Sequence, residues 1–597
     1  MCLCIILVLH GFPLRRGYKI LRTWTFFSHE IHSYFFFGNQ NFALMATHSV
    51  DSRSGFCSQT KIYKSLRPPL SLPPLSQPLT VAGHALSVLR SSPPPPNTAA
   101  LIDSDSGVSV SYALFLRQIR NLTSNLKALY SFSNGQVAFI LSPTSLQIPV
   151  LYFALLSLGV VVSPANPISS ESEIAHQVSL CKPVIAFAIS STASKIPRLP
   201  LGTVLIDSPE FLSLMNESNR SEGVNDGIFD LKINQNDSAA ILYSSGTTGR
   251  VKGVLLSHRN LITAITGVQV LDKTPVDGEI EPHPVALSLL PLFHVFGFFM
   301  LFRSISEGNT LVLMRKFDFE KMLRAVEKYR VTYIPVSPPL VLAMAKSELA
   351  EKYDLSSLQI LGCGGAPLGK EVIDKFHVKF PNVEIIQGYG LTESAGAASR
   401  TVGPEECSKA SSVGRLSENM EAKIVDPSSG EALPPGHKGE LWIRGPGIMK
   451  GYVGDERATA ETLHPEGWLK TGDLCYFDSD GFLYIVDRLK ELIKYKAYQV
   501  PPAELEHLLQ SHPEILDAAV IPYPDEEAGQ IPVAYVVRQP GSNINETQVM
   551  DFIAKQVAPY KKIRRVFFVN AVPKSPAGKI LRRELVQHAL SQGSSRL

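Results

Sequence analysis

The feature that most constrains the fold is an alternation of short apolar runs with segments of helical spacing. Runs such as 137–141 and 311–314 have the length and apolar character of buried strands, whereas 111–130 and 318–329 carry apolar residues at helical spacing. This alternation predicts layered α/β sheets with parallel strands. Ligands of such sheets bind beyond the carboxyl ends of the strands.

The last third of the sequence follows a different pattern. From about Ser411, short strands separated by many Gly and Pro residues indicate a β-rich subdomain. Beyond Arg488 the pattern predicts a small α+β unit, with helices at 503–511, 546–557 and 579–589 and strands at 515–521, 532–537 and 566–569.

Three other segments also carry local predictions. The proline-rich segment 67–96 predicts an extended arm. The polar segment 208–236 predicts mostly loop. The apolar segment 146–158 is a core helix by this interpretation, because Pro149 and Gly159 argue against a membrane span.

Length and charge exclude several classes of protein. The chain has 597 residues and a formal net charge of +3, which allows a large core in more than one domain and gives no basic footprint for nucleic acid. The seven cysteines lack C-x-x-C spacing, so we expect reduced thiols in an intracellular protein, without a disulfide framework or a metal site. No stable membrane span is predicted, and the oligomeric state stays open.

The two ends of the chain suggest processing and targeting. The apolar run 1–9 is too short to span a bilayer and precedes Arg15 and Arg16, the reverse of a secretory signal. Residues 1–60 are therefore expected to be a disordered leader or a gene-model extension, with Met45 as a more natural start. The tail, 593–597, ends in Ser-Arg-Leu, a variant of the Ser-Lys-Leu peroxisomal address, which predicts a peroxisomal protein and an import receptor as partner.

A stretch of glycines, hydroxyl residues and one lysine occupies 243–253. Glycines let backbone N–H groups approach an anion, and Lys252 supplies charge, so a polyphosphate is the expected ligand. A flexible linker is the alternative, but flanking apolar runs predict that the stretch joins two buried strands. It is not a Walker loop, because Val251 precedes the lysine and Gly253 follows it. The predicted phosphate-binding residues are Ser244, Ser245, Gly246, Thr247, Thr248, Gly249 and Lys252.

A second motif, Gly-Tyr-Gly-Leu-Thr-Glu at 388–393, follows a predicted strand. The ring of Tyr389 can stack on adenine, the hydroxyl of Thr392 can meet an α-phosphate, and the carboxylate of Glu393 can hold Mg²⁺. Gly388 and Gly390 complete the predicted nucleotide-binding turn. Alone, the motif could be an ordinary turn that carries a solvated carboxylate.

These two motifs, in this order, resemble those of the adenylate-forming superfamily of acyl-CoA synthetases and luciferases, and in particular plant 4-coumarate–CoA ligase-like enzymes. The resemblance extends over roughly residues 60 to 590. It implies a large N-terminal AMP-binding domain at 61–489, built of layered α/β sheets plus a β-rich subdomain. A small, mobile α+β C-terminal domain at 490–592 is implied to follow.

The resemblance also implies roles for residues in other motifs. Asp473 and Arg488 match the family residues that hold the ribose hydroxyls, and Lys490 matches the hinge between the domains, at the nucleotide site. Lys579 matches the lysine that bridges the substrate carboxylate and the α-phosphate. The predicted catalytic residues are Lys579, Lys494, Gln499 and Thr392. The predicted acyl pocket comprises His294, Phe296, Gly364, Gly365, Ala366 and Pro367.

Isolated residues of these sets have plainer interpretations. A histidine among apolar neighbours is more often a satisfied core residue, and a lysine at a helix start is more often solvated. The agreement of the whole set with the family's order favours the functional interpretation.

The implied reaction is formation of an acyl-adenylate from a carboxylic acid and ATP, with Mg²⁺, followed by transfer of the acyl group to coenzyme A. A hydroxycinnamate-like acid of phenylpropanoid type, a fatty acid or an oxylipin such as a jasmonate precursor is the expected substrate. Phe296 stands where coumarate ligases usually have Tyr, which argues against strict coumarate specificity. The alternatives are a luciferase-like monooxygenase and a catalytically inactive acyl- or nucleotide-binding homologue.

Overall fold

The structure is a computed structural model that describes residues 50–217, 232–244, 251–269, 283–366, 368–496, 498–575 and 578–593. In chain order its strands are β1 (Phe56–Cys57), β2 (Ile62–Lys64), β3 (Ala99–Asp103), β4 (Ser109–Ser111), β5 (Val137–Leu141), β6 (Val161–Pro164), β7 (Ile185–Ala188), β8 (Thr203–Leu205), β9 (Ser238–Ser244), β10 (Lys252–Ser257), β11 (Val285–Ser288), β12 (Thr310–Leu313), β13 (Tyr333–Val336), β14 (Ile360–Cys363), β15 (Glu384–Gly390), β16 (Ala397–Arg400), β17 (Arg415–Leu416), β18 (Glu421–Val425), β19 (Ala432–Leu433), β20 (Gly439–Arg444), β21 (Gly451–Tyr452), β22 (Leu469–Phe477), β23 (Leu483–Arg488), β24 (Ile493–Tyr495), β25 (Tyr498–Val500), β26 (Ile515–Asp525), β27 (Gly529–Arg538) and β28 (Arg565–Phe568).

The α-helices connect and cover these strands. They are α1 (Val81–Ser91), α2 (Tyr112–Tyr130), α3 (Gln147–Ser157), α4 (Glu171–Cys181), α5 (Pro209–Asn216), α6 (His258–Gln269), α7 (Val295–Ser306), α8 (Phe319–Tyr329), α9 (Pro338–Lys346), α10 (Lys370–Lys379), α11 (Gly403–Cys407), α12 (Glu456–Thr462), α13 (Pro502–Ser511), α14 (Glu546–Ala554) and α15 (Arg582–Gly593).

Two α/β sheets form the larger part of the molecule. The first has the order β21-β10-β9-β6-β5-β7-β8, and the second the order β17-β16-β15-β14-β13-β11-β12-β3-β4. The inner strands of both sheets run parallel; antiparallel strands lie at one edge of the first sheet and at both edges of the second. The prediction of layered α/β sheets with parallel strands is therefore confirmed.

A third, antiparallel sheet has the order β1-β2-β18-β20-β22-β23, with β19 paired to β18. It corresponds to the β-rich region expected from about Ser411. Its apolar side chains, such as Tyr63 and Leu441, belong to the same hydrophobic core as residues of both α/β sheets. The three sheets thus share one core.

The apolar segment 146–158 forms a helix within that core. The helix α3 spans Gln147–Ser157, and its residues from Ile148 to Ser157 are buried. At 11 residues it is far shorter than a bilayer requires. Among the described residues, no helix is both long and apolar enough to cross a membrane.

A fourth sheet, β25-β24-β27-β26 with β28 beside β27, lies in the C-terminal part of the chain. Two clusters of apolar side chains cover its two faces. Ala518 and Val520 belong to one cluster, whereas Ala519 and Ile521 belong to the other, as the alternation of side chains along a strand requires. This small sheet therefore has its own apolar cores.

Polar contacts connect the C-terminal sheet and helices to the rest of the molecule. The ammonium of Lys346 donates to the carbonyl of Gln510 at 3.2 Å, and that of Lys375 donates to the carbonyl of Ser511 at 2.9 Å. The backbone N–H of Ala503 donates to a carboxylate oxygen of Asp487 at 2.9 Å.

Three segments contain regular elements that the sequence did not predict. The segment predicted as loop contains α5, which Ser208 caps by accepting from the N–H of Phe211 and which begins at Pro209. The predicted extended arm contains α1, capped in the same way by Thr80. Residues 50–60, assigned to a leader, include β1, which pairs with β2. Residues 1–49 lie outside the described part of the chain.

Candidate active site

The two strands predicted around the glycine-rich stretch are present as β9 and β10. They pair antiparallel, with Ser244 opposite Lys252, so the ends of the intervening loop are held side by side. The ammonium of Lys252 lies 4.6 Å from the ring centroid of Tyr452. The predicted phosphate-binding residues at 245–249 lie outside the described residues.

Glu393 joins this loop to the Gly-Tyr-Gly-Leu-Thr-Glu motif. Its carboxylate oxygen Oε1 accepts from the hydroxyl of Ser244 at 3.1 Å and from the hydroxyl of Tyr452 at 2.9 Å. Thr392, just before it, is buried at the start of a short 3₁₀ turn. A carboxylate therefore lies at the end of β9, where the predicted phosphate loop begins.

Glu393 is the predicted Mg²⁺ ligand of this site. No group of three or more His, Cys, Asp and Glu side chains suited to a metal occurs among the described residues. Mg²⁺ bound with nucleotides commonly takes only one or two carboxylates, together with phosphate oxygens and water. Glu393, an oxygen donor beside the phosphate loop, fits that mode.

A buried carboxylate lies where β22 and β23 pair. Asp473 is directly opposite Arg488, and its side chain is only 5% exposed. The hydroxyl of Tyr389 donates to Asp473 Oδ2 at 2.6 Å, and Arg488 Nε lies 3.3 Å from Oδ1. Burial raises the pKa of Asp473, while Arg488 and Tyr389 oppose that rise. Asp473 is thus a buried carboxylate that Tyr389 and Arg488 hold in place.

Lys579 reaches the same site from the C-terminal part of the chain. Gly578 has a φ of +80°, and a Cβ at this position would lie 2.4 Å from the hydroxyl oxygen of Ser337. The backbone N–H of Lys579 donates to the hydroxyl of Ser575 at 3.2 Å. Only a glycine fits this tight turn, which fixes the approach of the lysine.

Electrostatics show what surrounds the Lys579 ammonium. Burial, together with the nearby charge of Arg488, lowers the pKa of Lys579 to about 8. The carboxylates of Glu491, Asp473 and Glu393 act in the opposite direction. Lys579 is therefore a partly desolvated cation within reach of both predicted nucleotide-site carboxylates.

Two predicted acyl-pocket residues, His294 and Phe296, contact each other at the start of α7. The Nδ1 of His294 accepts from the backbone N–H of Phe296 at 3.3 Å, which makes His294 the N-cap of α7. Burial, with a smaller contribution from Lys579, lowers the pKa of His294 to about 4, so the ring is neutral at pH 7. His294 therefore contributes an uncharged ring and a hydrogen-bonding group to the predicted pocket, but no positive charge.

The lack of a side chain at Gly364 lets neighbouring segments approach closely. A Cβ on Gly364 would lie 3.5 Å from the ring of Phe296 and 3.4 Å from the carbonyl oxygen of Gly388. Gly365 and Ala366 are exposed, and Pro367 lies outside the described residues. The predicted acyl pocket and nucleotide turn are thus in direct contact.

The remaining predicted site residues are exposed. Lys490 is exposed just beyond β23. Lys494 and Gln499 are opposite each other in the hairpin of β24 and β25, and both side chains are exposed. In this structure Lys579, and not this hairpin, lies near the carboxylates of Asp473 and Glu393.

Sequence reasoning missed two residues that shape the site. Tyr452, on β21 opposite Val254 of β10, holds Glu393. Glu440 accepts from the backbone N–H of Gly472 at 3.0 Å and orders the turn before Asp473. Both come from strands distant in sequence, so only the pairing of the sheets could have revealed them.

Comparison with known proteins identifies the family of this chain. The sequence matches the family described as AMP-binding enzyme over residues 90–453, and the AMP-binding enzyme C-terminal domain over residues 504–579. It is 61% identical over 560 residues to 4-coumarate–CoA ligase-like 9 of Arabidopsis thaliana, covering 92% of this chain and 98% of the relative. It is 44% identical to Peroxisomal OPC-8:0-CoA ligase 1 of the same plant, covering 91% of this chain and 99% of the relative.

A solved structure also matches. The o-succinylbenzoate CoA synthetase of Bacillus subtilis, in complex with the acyl-adenylate intermediate OSB-AMP, superposes with a TM-score of 0.70 at 26% identity. The match covers 84% of this chain and 97% of that chain. The chain therefore belongs to the AMP-binding, adenylate-forming enzyme family, and it is an acid–thiol ligase that resembles the plant 4-coumarate–CoA ligase-like proteins.

Proposed function

We propose that this protein activates a carboxylic acid with ATP and transfers the acyl group to coenzyme A in two half-reactions. In the first, the carboxylate oxygen attacks the α-phosphorus of ATP, the bond to the bridging oxygen breaks, and pyrophosphate leaves. In the second, the thiolate of coenzyme A attacks the acyl carbon of the adenylate and AMP leaves. The AMP-binding family match supports the reaction class.

The observation that carries this proposal is the position of Lys579. The first half-reaction forces two anions, the carboxylate and the α-phosphate, together, and a partly desolvated cation stabilises the charge that they share. Lys579 lies within electrostatic reach of Asp473 and Glu393, which would face the ribose and the phosphates. The backbone turn at Gly578 fixes the position from which the Lys579 side chain starts.

The other predicted residues divide the remaining tasks. Asp473 would accept from the ribose hydroxyls, and Tyr389 would pack against the base while its hydroxyl orients Asp473. Thr392 and Lys252 would donate to phosphate oxygens. Glu393 would hold Mg²⁺, which supplies charge neutralisation of the phosphates when bound.

The C-terminal domain would serve both half-reactions in turn. Lys579 belongs to the last part of that domain, whereas Lys494 and Gln499 lie on its first hairpin. One domain does not readily present both edges to the same phosphate in one pose. Rotation about Lys490 would replace Lys579 with the hairpin after the adenylate has formed.

The acyl pocket favours an acid with an apolar body. The wall formed by α7 is rich in aromatic side chains, and Phe298 and Phe302 are fully buried behind it. A hydroxycinnamate-like, fatty or oxylipin acid has such a body. The relative named OPC-8:0-CoA ligase supports the oxylipin class as one candidate.

Product analysis tests the reaction. With ATP, Mg²⁺, coenzyme A and an accepted acid, the purified protein should release pyrophosphate and yield AMP and an acyl-CoA, with no turnover when any component is omitted. A panel of cinnamic, fatty and cyclopentanone acids identifies the substrate. ADP in place of AMP would refute attack at the α-phosphate.

The C-terminal Ser595-Arg596-Leu597, which lies outside the described residues, supports a peroxisomal location and recognition by an import receptor. A fluorescent fusion at the N-terminus should give peroxisomal puncta, and removal of these three residues should leave a diffuse, catalytically active protein. Puncta that persist after truncation would point to a different address.

A further inference from the structure

The helix α13, in the C-terminal part of the chain, has no side-chain cap of its own. It begins after Pro501, whose side chain cannot accept from the free backbone N–H groups of the first turn. The acidic residue of that turn, Glu504, pairs with Lys561 of the C-terminal part at 2.7 Å. The last turn of α13 contains no basic residue. Charges that complement the dipole of this helix must therefore come largely from other segments.

A carboxylate from the larger part of the molecule lies at the N-terminus of α13. Asp487 Oδ2 accepts from the backbone N–H of Ala503 at 2.9 Å, and Asp487 Oδ1 accepts from the N–H of Arg488 at 2.7 Å. Burial raises the pKa of Asp487 to about 6, although the charge of Arg582 and these two N–H groups oppose the rise, so the carboxylate is ionised at pH 7. A negative charge thus meets the positive end of the helix dipole from across the predicted hinge at Lys490.

Two ammonium groups from the larger part lie at the C-terminus of the same helix. Lys346, at the end of α9, donates to the carbonyl of Gln510 at 3.2 Å and also to the carbonyl of Ile515, just beyond the helix. Lys375 of α10 donates to the carbonyl of Ser511 at 2.9 Å. The last carbonyls of a helix have no partner within it, and the dipole makes this end negative. Charges of opposite sign therefore hold α13 at its two ends.

The position of α13 is coupled to that of Lys579. Arg582, three residues beyond Lys579, donates to Glu506 Oε2 of α13 at 2.8 Å. In the same arrangement the carboxylates of Asp473 and Glu393 act on the pKa of Lys579, which places its ammonium near the predicted nucleotide site. Groups that hold α13 therefore also hold Lys579 near these carboxylates.

We propose that Asp487, Lys346 and Lys375 are positioning residues that hold the C-terminal domain in the pose for adenylation. This inference rests on the proposed function and its two poses. Rotation about Lys490 carries α13 away from these three side chains, so their hydrogen bonds exist in the first pose and are replaced by bonds to water in the second. Because water replaces the lost partners, each bond shifts the balance between the poses only modestly, on the order of tenfold.

Removal of the two ammonium groups tests the C-terminal end of α13. Lys346→Met combined with Lys375→Met keeps the long apolar stems and removes the donors. In this variant kcat for pyrophosphate release should fall on the order of 10- to 100-fold, with little change in KM for ATP, because fewer molecules adopt the adenylation pose. Thioester formation from a supplied acyl-adenylate and coenzyme A should be as fast as in the unaltered enzyme or faster. A general loss of stability would not spare the second half-reaction in this way.

The matched control is Lys379→Met. Lys379 also belongs to α10, and its ammonium also donates to a backbone carbonyl, but that of Ser347 within the larger part. This variant should leave both half-reactions unchanged. Lys375→Met alone, at an exposed position, should show a smaller loss of the same kind, and it decides the matter if the double variant does not fold.

Asp487→Asn removes the charge at the other end of α13 with little change in shape. It should also lower kcat for pyrophosphate release on the order of tenfold and spare thioester formation. Because Asp487 also accepts from the N–H of Arg488, a predicted ribose-binding residue, KM for ATP is measured alongside. A raised KM for ATP with unchanged kcat would show that Asp487 acts on the nucleotide site and not on the position of α13.

The outcomes separate this inference from the proposed function. Absence of AMP and pyrophosphate formation by the unaltered enzyme with every acid would refute the ligase function. An active unaltered enzyme, together with unchanged pyrophosphate release in the folded Lys346→Met, Lys375→Met variant, would refute the positioning role alone. Equal losses in both half-reactions would also refute it, because they would reveal a general effect on the fold.

Discussion

Two opposing effects determine the pKa of Lys579. Burial lowers its pKa, and three carboxylates nearby raise it, with the net result that its pKa lies at about 8. A cation with such a pKa is charged at neutral pH but loses its charge in mildly alkaline solution. Its usefulness in the first half-reaction therefore depends on pH in an accessible range.

The kcat/KM for adenylation should fall as the pH rises through about 8, close to tenfold for each further pH unit, because the protonated lysine is the form that stabilises the transition state. Thioester formation from a supplied acyl-adenylate should lack this particular decline. Pyrophosphate release and acyl-CoA formation, measured separately between neutral and alkaline pH, provide the test.

Lys579→Arg serves as the matched control, because an arginine keeps its charge up to a pH of about 12. Its residual adenylation activity should not fall near pH 8. Lys579→Ala should reduce adenylation on the order of 10²–10³-fold and largely spare the second half-reaction. An identical alkaline decline in the wild type and the Arg variant would assign the titration to another group.

The start of α15 determines where Lys579 lies. Arg582, its first residue, donates to Glu506 Oε2 at 2.8 Å and lies 3.3 Å from Glu491 Oε2. Glu506 belongs to α13, whereas Glu491 follows β23. The Arg582 guanidinium therefore links α15, α13 and the segment after β23. Arg582 is three residues from Lys579 in the sequence.

Arg582→Met should lower the adenylation rate on the order of 100-fold, because a displacement of the Lys579 turn by about 1 Å removes the benefit of its position. Thioester formation from a supplied adenylate should change far less. The control is Arg583→Met, since Arg583 is the exposed neighbour on the same helix. Parallel losses in both half-reactions, or an equal effect of the two variants, would contradict a positioning role.

The sequence predicted the larger elements well. The predicted strand 137–141 agrees with β5, because a continuous apolar run indicates a buried strand. The helix predicted over 111–130 agrees with α2 at Tyr112–Tyr130, because apolar residues recur at helical spacing along its whole length. The helix α5 was missed although Ser208 and Pro209 are a recognisable helix start, since only Phe211 and Met215 of its residues are buried. Short elements carry too little periodicity to stand out.

The site was predictable only in part, for a related reason. Asp473 and Arg488 lie in recognisable motifs, and they are direct partners across β22 and β23. The contact of Tyr452 with Glu393 depends on strand order and register. Single-sequence patterns do not encode which strand lies beside which.

At the scale of the whole molecule, α10 and α13 bring the two parts of the chain into close contact. A Cβ on Gly369, at the start of α10, would lie 3.5 Å from the Cβ of His507 in α13. Disulfides require Cβ atoms about 3.5–4.5 Å apart. Gly369 has an extended backbone, with φ of −71° and ψ of 147°, that any residue accepts.

Gly369→Cys combined with His507→Cys should therefore form a disulfide that holds the C-terminal domain in the pose described. The oxidised enzyme should still make acyl-adenylate and pyrophosphate. Its acyl-CoA formation should fall on the order of 100-fold, because the Lys494 hairpin would not reach the site. Quenched-flow measurement of both products on the oxidised protein tests this.

Reduction of the disulfide should restore acyl-CoA formation, and each single cysteine variant should behave as the parent under oxidising conditions. Full coenzyme A-dependent turnover in the oxidised double variant would show that one pose serves both half-reactions.

Each face of the small C-terminal sheet packs in its own apolar cluster. Ala518 and Val520 belong to one cluster, and Ala519 and Ile521 belong to the other. The contacts of this C-terminal unit with the larger part include the polar ones of Lys346 and Lys375 with backbone carbonyls, which water can replace. Rotation of such a unit exposes little apolar surface and therefore carries little change in heat capacity. The enthalpy difference between the two orientations of this domain should therefore change little with temperature. A van't Hoff plot of the equilibrium constant between them should be close to straight.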